Sequence, residues 1–202
     1  MRGGYFPVVA FTSLAISACS IGRPIPQTTM YVIDVSTDVA AAEDRQMYPT
    51  LRMGNVRVAA PFAGNELIYR FSDVRYASDP YHAFAADPGS MLGGKIAEWL
   101  DRTDGFSVVA QPRSARAAPY VLEVSVTELY GDFRAGQPPA AVLSMQFALI
   151  DQTGARSKLQ YERSISQTVP LPQASPEALV RGYGTALAAI LGQVASELSA
   201  QF

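Results

Sequence analysis

Hydrophobic positions recur along this chain with two periods, one typical of strands and one typical of helices. Alternating positions rich in β-branched residues predict strands over residues 30–35 and 55–60, with a polar loop over residues 38–50 between them. Residues 67–71 and 74–76 predict a short hairpin. We place the start of the folded domain near Thr29.

Three longer strands are predicted over residues 120–130, 141–150 and 159–169. The connections between them, residues 131–139 and 151–154, are rich in turn-forming residues. Within these strands the apolar residues alternate with polar ones: Leu143, Met145, Phe147 and Leu149 in the second strand, and Leu159, Tyr161 and Ile165 in the third. The order of the three strands predicts an antiparallel meander.

A first helix is predicted from Asp87 as N-cap and Pro88 as first helical residue to a stop at Asp104-Gly105. Its apolar residues recur at steps of three and four, namely Met91, Leu92, Ile96, Trp99 and Leu100. A strand is expected over residues 106–109.

A long terminal helix is predicted from Ser175-Pro176-Glu177. Its apolar stripe consists of Leu179, Val180, Tyr183, Leu187, Ile190, Leu191, Val194 and Leu198. Glycines and alanines between these residues keep the helix slim enough to approach a sheet closely. We expect the helix to dock on the sheet, and a helix that binds a partner is the alternative. The elements together predict an α/β (α+β) fold in which a mixed, largely antiparallel sheet is packed by helices.

The amino-terminal segment reads as a bacterial lipoprotein signal. Cys19, the only cysteine, follows Ile16, Ser17 and Ala18, which supply an apolar residue at position −3 and small residues at the cleavage point. The preceding apolar stretch is far shorter than the roughly 20 residues of a membrane span. We therefore expect cleavage before Cys19 and its acylation, including palmitate; an ordinary signal peptide or an uncleaved anchor is the alternative.

This signal divides the chain into residues 1–18 as signal peptide, 19–28 as lipidated tether and 29–202 as a single domain. Ser20 follows the cysteine, and lipoproteins kept at the inner membrane mainly carry Asp at that position. We expect the outer membrane of a Gram-negative bacterium, with the domain on its periplasmic face.

Composition argues against several classes of function. The net charge is −2 and no basic cluster occurs, so we expect no nucleic-acid partner. With His82 as the only histidine and Cys19 acylated, we expect neither a metal site nor a cofactor, and His82 reads as a surface or partly packed residue in a turn before the first helix. We predict that the protein is not an enzyme.

Three weaker patterns have structural interpretations. Gly89, Gly94 and Lys95 match part of a phosphate-binding loop, but Ile96 stands where a hydroxyl is required, so we expect a helix start instead. Asp101 and Asp104 are expected to solvate a helix end. The residues Met145, Phe147, Trp99 and Tyr183 fit either a plain core or the lining of a lipid pocket between sheet and helices.

Several motifs together resemble one family. Besides the lipobox these are Tyr31-Val32-Ile33, the segment 56–61, Leu67-Ile68-Tyr69-Arg70 and the segment 81–85 before the first helix. The mature chain is similar to the ABC-type transport auxiliary lipoproteins, the paraquat-inducible protein C-like, MCE-associated group. The resemblance implies a sandwich like the amino-terminal domain of TolB and anticodon-binding folds.

The resemblance also implies a task without an active site. Such lipoproteins work beside an inner-membrane ABC transporter and a periplasmic MCE-domain protein in lipid transport between membranes. We therefore expect a non-catalytic outer-membrane docking component, held by acylated Cys19 and forming a ring of identical subunits. A periplasmic lipid-binding carrier is the alternative.

Overall fold

The computed structural model describes residues 27–35, 50–102, 106, 108–110 and 117–199. The strands are β1 (Thr29–Tyr31), β2 (Leu51–Val58), β3 (Glu66–Arg70), β4 (Tyr76–Phe84), β5 (Val109–Ala110), β6 (Tyr120–Asp132), β7 (Ala140–Asp151) and β8 (Lys158–Pro170). The helices are α1 (Pro88–Arg102) and α2 (Pro176–Ser199), and a 3-10 turn, Ala60–Phe62, follows β2. The predicted loop 38–50 lies, except for Thr50, outside the described residues, as does the predicted stop of α1 at Asp104-Gly105.

The eight strands form one mixed, open sheet. β6 is its organising strand: its first part pairs in parallel with β2, and its last two residues pair in parallel with β3. Along its other edge β6 pairs antiparallel with β7, which pairs antiparallel with β8. β1 and β5 add to β4 and β2 in parallel. The predicted meander and the predicted fold class are confirmed.

Both helices pack against the same face of the sheet. The apolar residues of β7 at alternate positions, Ala141, Leu143, Met145, Phe147 and Leu149, are each at most 1% exposed on that face. The predicted stripe of α2 is buried throughout. The strand and helix periodicities therefore meet in one hydrophobic core.

Both predicted helix caps are present. The Asp87 carboxylate accepts a hydrogen bond from the Ser90 N–H at 2.7 Å. At the second helix the Ser175 hydroxyl accepts from the Ala178 N–H at 3.2 Å. Each satisfies a backbone donor that the first turn leaves without an intrahelical partner.

Two glycines let α2 lie unusually close to its neighbours. A Cβ at Gly184 would lie 2.1 Å from the carbonyl oxygen of Asp34, just after β1. A Cβ at Gly182 would lie 2.7 Å from both the Ala141 Cβ and the Leu171 Cδ2. Although residues Pro176–Leu198 are long and apolar enough to cross a membrane, 61% of the most apolar stretch is buried in the fold. α2 is therefore a core helix.

Several strand predictions need correction. The strand predicted over residues 30–35 ends at Tyr31, and the strand predicted over residues 55–60 is β2, which begins at Leu51 and ends at Val58. β4 continues through residues 79–84, where a turn was expected, because an irregularity in its pairing with β3 absorbs Asp79 and Pro80 within the strand. Leu159 does not share the buried face of Tyr161 and is 53% exposed. A register shift between Leu149 and Ile150 moves it to the opposite face.

The helix-free face of the sheet, which we call the open face, is largely polar. Its strands are joined by side-chain bonds: the Ser144 hydroxyl lies 2.5 Å from the Glu128 carboxylate and 2.7 Å from the Ser166 hydroxyl. Arg57 pairs with Glu123 at 3.1 Å across β2 and β6. These bonds link neighbouring strands on the side where no helix packs.

Candidate functional site

The predicted lipidation motif lies outside the described residues. This holds for Cys19 and for the flanking residues Ile16, Ser17, Ala18 and Ser20. The described chain begins at Gln27, eight residues after Cys19, and enters β1 two residues later. Acylation at Cys19 therefore stays a prediction.

A polar cluster joins β1, β4 and α2 beside this entry point; we call Tyr31, Tyr69, Asp79, His82 and Glu177 the Asp79 cluster. The β3–β4 register passes from Ile68 opposite Ser78 to Glu66 opposite Ala83, so β4 has extra residues between these two pairs. This bulge contains both Asp79 and His82 of the cluster. Bulges of this kind redirect side chains and are frequent next to functional sites.

Asp79 is the centre of the cluster. Its carboxylate accepts hydrogen bonds from the Tyr69 hydroxyl at 2.7 Å and from the Tyr81 and His82 N–H groups at 2.8 and 3.1 Å. The Nδ1 of His82 lies 2.8 Å from the same carboxylate. Burial opposes ionisation of Asp79, but these hydrogen bonds outweigh it and lower the pKa of the carboxyl.

The second part of the cluster ties β1 to the start of α2. Tyr31 donates its hydroxyl to Glu177 at 2.8 Å, and its ring lies 5.9 Å from that of His82. Burial, together with the Glu177 carboxylate, raises the pKa of Tyr31 to about 12. The backbone N–H of Glu177 and the Tyr31 hydroxyl lower the pKa of that carboxyl. The cluster therefore fixes the first strand of the fold to the last helix.

His82 is better anchored than the sequence suggested. It was expected in a turn, but it lies on β4 with a side chain 30% exposed and Asp79 as a partner. The sequence reasoning missed Asp79, Tyr69 and Tyr31 as its surroundings. The one local signal was the Asp at position −3 from the histidine, which lets the carboxylate reach back to the following N–H groups.

A groove of about 360 Å³ lies between the end of β8 and the first half of α2. Its apolar wall contains Val169, Pro170, Leu171, Pro172, Ala178 and Gly182, and its polar lining contains Gln173, Ser175, Glu177, Arg181 and Thr185. Glu177 belongs both to the groove and to the Asp79 cluster.

The connection between β3 and β4, together with the first residue of β4, forms a second surface feature, residues 71–76, which we call the hairpin tip. Val74 is 91% exposed at its apex, and Phe71 and Tyr76 are 36% and 41% exposed beside it. The Phe71 N–H donates to the Arg75 carbonyl at 2.9 Å, closing the turn.

The phosphate-loop pattern has a structural explanation. A Cβ at Gly89 would lie 2.7 Å from the Val56 carbonyl oxygen, so this glycine lets α1 approach β2. Lys95 lies within α1 and pairs with Asp34 at 3.1 Å and with Glu98 at 3.5 Å. Asp101 lies in the last turn of α1, whereas Asp104 is outside the described residues.

The four residues considered for a lipid pocket are all core residues. Met145, Phe147, Trp99 and Tyr183 are at most 4% exposed, and none of them lines the groove. The Trp99 indole N–H and the Tyr183 hydroxyl have no hydrogen-bond partner within the described part of the chain. Complete burial raises the pKa of Tyr183 well above its ordinary value, so its hydroxyl stays protonated.

The chain matches the model of a known protein family over most of the strands and helices described above. The model of the ABC-type transport auxiliary lipoprotein component matches residues 31–195, from the end of β1 almost to the end of α2. The chain belongs to this family. It is thus a lipoprotein component of ABC-type transport, and the family resemblance drawn from the sequence is confirmed. No curated protein matches this auxiliary lipoprotein.

Solved structures share the fold of the auxiliary lipoprotein. A protein from Xanthomonas campestris is 16% identical with a TM-score of 0.71, covering 86% of this chain and 96% of its own. An uncharacterised protein is 21% identical with a TM-score of 0.67, covering 85% and 99%. A hypothetical protein from Chlamydia trachomatis is 10% identical with a TM-score of 0.54, covering 75% and 96%. At these identities the likeness concerns the fold alone.

Proposed function

We propose that the protein is a non-catalytic docking component of an ABC transport system, anchored through acylated Cys19 to the periplasmic face of the outer membrane. Its partner in this proposal is an MCE-domain protein that bridges the periplasm for lipid transport. The observation that carries the proposal is the family match over residues 31–195, which begins in β1, directly after the predicted tether.

The described surface is compatible with docking. The apolar side chains considered for a ligand pocket are packed in the core, and the groove beside α2 opens at the surface. In the Asp79 cluster the Tyr31–Glu177 bond holds β1 against α2, and His82 is paired with Asp79 within β4, which gives the one histidine a structural task. A protein with this construction supports transport by offering a rigid surface to its partners.

The membrane assignment can be tested with variants of the lipobox. Cys19→Ala should abolish acylation and release the protein from the membrane fraction, as measured by mass spectrometry and fractionation. Ser20→Asp should move the acylated protein from the outer to the inner membrane, whereas the matched control Ser20→Ala should leave it in the outer membrane. Equal distribution of the two Ser20 variants would contradict the outer-membrane assignment.

The partner can be tested by photo-crosslinking in cells. A crosslinking amino acid at Arg181 probes the groove, and one at Leu159 probes the opposite end of the sheet. Capture of an MCE-domain protein or an ABC transporter component at either position supports the proposal. Capture of an unrelated envelope machine, with neither of these components, would overturn it.

A further inference from the structure

The hairpin tip carries one of the two groups of exposed apolar side chains in the described chain; Met30, Val32 and Tyr81, around β1 and β4, form the other. Three large hydrophobic side chains with substantial exposure, Phe71, Val74 and Tyr76, fall within the tip. Val74 exposes nearly its whole side chain at the apex. Single exposed apolar residues are normal on protein surfaces, but a group of them on one projecting turn marks a contact site.

The tip is held rigid by bonds to the body of the domain. Asp73 lies 2.8 Å from Arg134 and 3.5 Å from Arg70, and the Ser72 hydroxyl accepts from the Arg75 N–H at 3.1 Å. Arg134 is in turn paired with Asp132 at 2.7 Å. Because the turn is fixed while Val74 points outward, contact at the tip would cost little conformational entropy.

The chemistry of the tip suits a lipid–water interface. Aromatic Phe71 and Tyr76 flank an aliphatic apex, and the Arg75 guanidinium lies 5.2 Å from the centre of the Phe71 ring. Aromatic rings and arginine side chains place their apolar parts in lipid and their polar ends in water. The tip itself holds one aspartate and one arginine, and Asp73 is paired with Arg134 and Arg70. The Arg75 guanidinium beside the Phe71 ring is the group placed to contact anionic headgroups.

The position of the tip relative to the tether identifies its occupant. β1 runs parallel to β4 with Thr29 opposite His82, so the chain enters β1 from the side of the sheet where β4 begins, at the tip. Tyr76 lies six positions before His82, at most about 20 Å away at 3.3 Å per residue, and the bulge in β4 shortens this distance. The eight residues from Cys19 to Gln27 span at most about 29 Å. A lipid attached to Cys19 therefore keeps the tip within reach of the bilayer surface.

We propose that the hairpin tip, residues 71–76, inserts its apolar side chains into the interfacial region of the bilayer that anchors Cys19. This inference rests on the acylation of Cys19 in the proposed function. The tip is then a second contact, which orients the sheet so that the last residues of β4 and the first residues of β8 lie on the side away from the membrane. A lone acylated tether would leave the domain free to rotate.

The test places one fluorescent label at the tip and a matched one at the far end. Val74→Cys and Leu159→Cys both alter exposed apolar residues, and the acylated Cys19 does not react with a thiol-directed label. Each full-length, acylated variant is labelled with an environment-sensitive dye and reconstituted into vesicles of phosphatidylethanolamine and phosphatidylglycerol that contain spin-labelled acyl chains. We expect quenching and a blue shift at position 74 and neither at position 159.

The outcomes separate this proposal from the proposed function. Equal quenching at the two positions, in protein that mass spectrometry shows to be acylated at Cys19, would overturn the tip contact and leave the anchor intact. An unacylated Cys19 would overturn both. A label at position 74 that is shielded in cells by a crosslinkable protein, yet not quenched by lipid in vesicles, would assign the tip to a protein partner and also overturn the proposal.

Discussion

The two faces of the sheet are built from neighbouring residues of the same strands, yet they are stabilised differently. On β7, Phe147 is fully buried beneath the helices, while the adjacent Gln146 faces the open side and bonds to Glu162 at 2.9 Å. The covered face depends on close packing with small residues at the contact points. The open face depends on polar bonds between strands, which contribute far less per residue than buried apolar groups. Substitutions should therefore cost little stability on the open face and much more on the covered face.

The largest difference should appear at the adjacent pair on β7. Phe147→Ala removes a fully buried ring and should lower the free energy of unfolding by about 3–5 kcal/mol. Gln146→Ala should change it by less than about 0.5 kcal/mol. Chemical denaturation of both variants measures the contrast. Similar losses for the two residues would mean that the faces are not energetically distinct.

A smaller but sharper effect is expected at the contact of α2 with the segment after β1. Gly184→Ala places a Cβ 2.1 Å from the Asp34 carbonyl oxygen, a backbone atom, so helix and segment must separate, at a cost of about 1–3 kcal/mol. The matched control is Gly192→Ala, where nothing lies within 4 Å of the added atom. That variant should be neutral or more stable by up to about 1 kcal/mol, because alanine favours helix. Thermal unfolding of both variants measures this contrast. A Gly192→Ala variant that is less stable than Gly184→Ala would refute the close approach.

The Asp79 cluster should make the covered face sensitive to acid. The pKa of Asp79 is lowered from 3.8 in the folded protein, so the unfolded chain binds more protons near that pH and stability rises with pH through this range. The contribution is complete well above pH 4 and is lost as the pH falls through the lowered value. Asp79→Asn should cost about 1–2 kcal/mol at pH 7.

The difference between the two proteins should shrink as the pH falls below 3.8. Urea unfolding at a series of pH values measures it. A constant difference from pH 7 to pH 3 would show that Asp79 does not act through its charge.

The smallest effect should belong to the open face. Arg57 and Glu123 pair at 3.1 Å, but their side chains are 71% and 43% exposed. Because exposed pairs are screened by water and salt, Arg57→Ala should change the free energy of unfolding by less than about 0.5 kcal/mol. A loss above 1 kcal/mol in denaturation experiments would indicate that the open face is more tightly coupled than its exposure suggests.

The helices and the meander could be predicted because the features that specify them lie within a few residues of each other in the sequence. The caps at Asp87 and Ser175 and the alternation in β7 each depend on residues close in sequence. The hairpin was predicted too, but not the length of β4, because Asp79 and Pro80 are turn-forming residues that here occupy a bulge. A pattern of residue types does not distinguish a bulge from a turn.

The sequence did not predict which distant strands pair with each other, and the reason is physical. β6 pairs in parallel with β2 and β3, and parallel partners have no connecting turn whose length would identify them. The Asp79 cluster likewise depends on Tyr31, Tyr69 and Glu177 arriving from three other elements. The signs that pointed to Cys19 were local, and they concern a segment outside the described residues.

The bond between Tyr31 and Glu177 spans 146 positions of the chain. Its consequence is chronological: the strand nearest the tether emerges first during synthesis, but its binding site on α2 is completed last. A chain whose carboxyl-terminal helix has not yet been made therefore cannot complete the contact between β1 and α2. Folding therefore ends at β1, the strand that was made first, once α2 is available to pack against it.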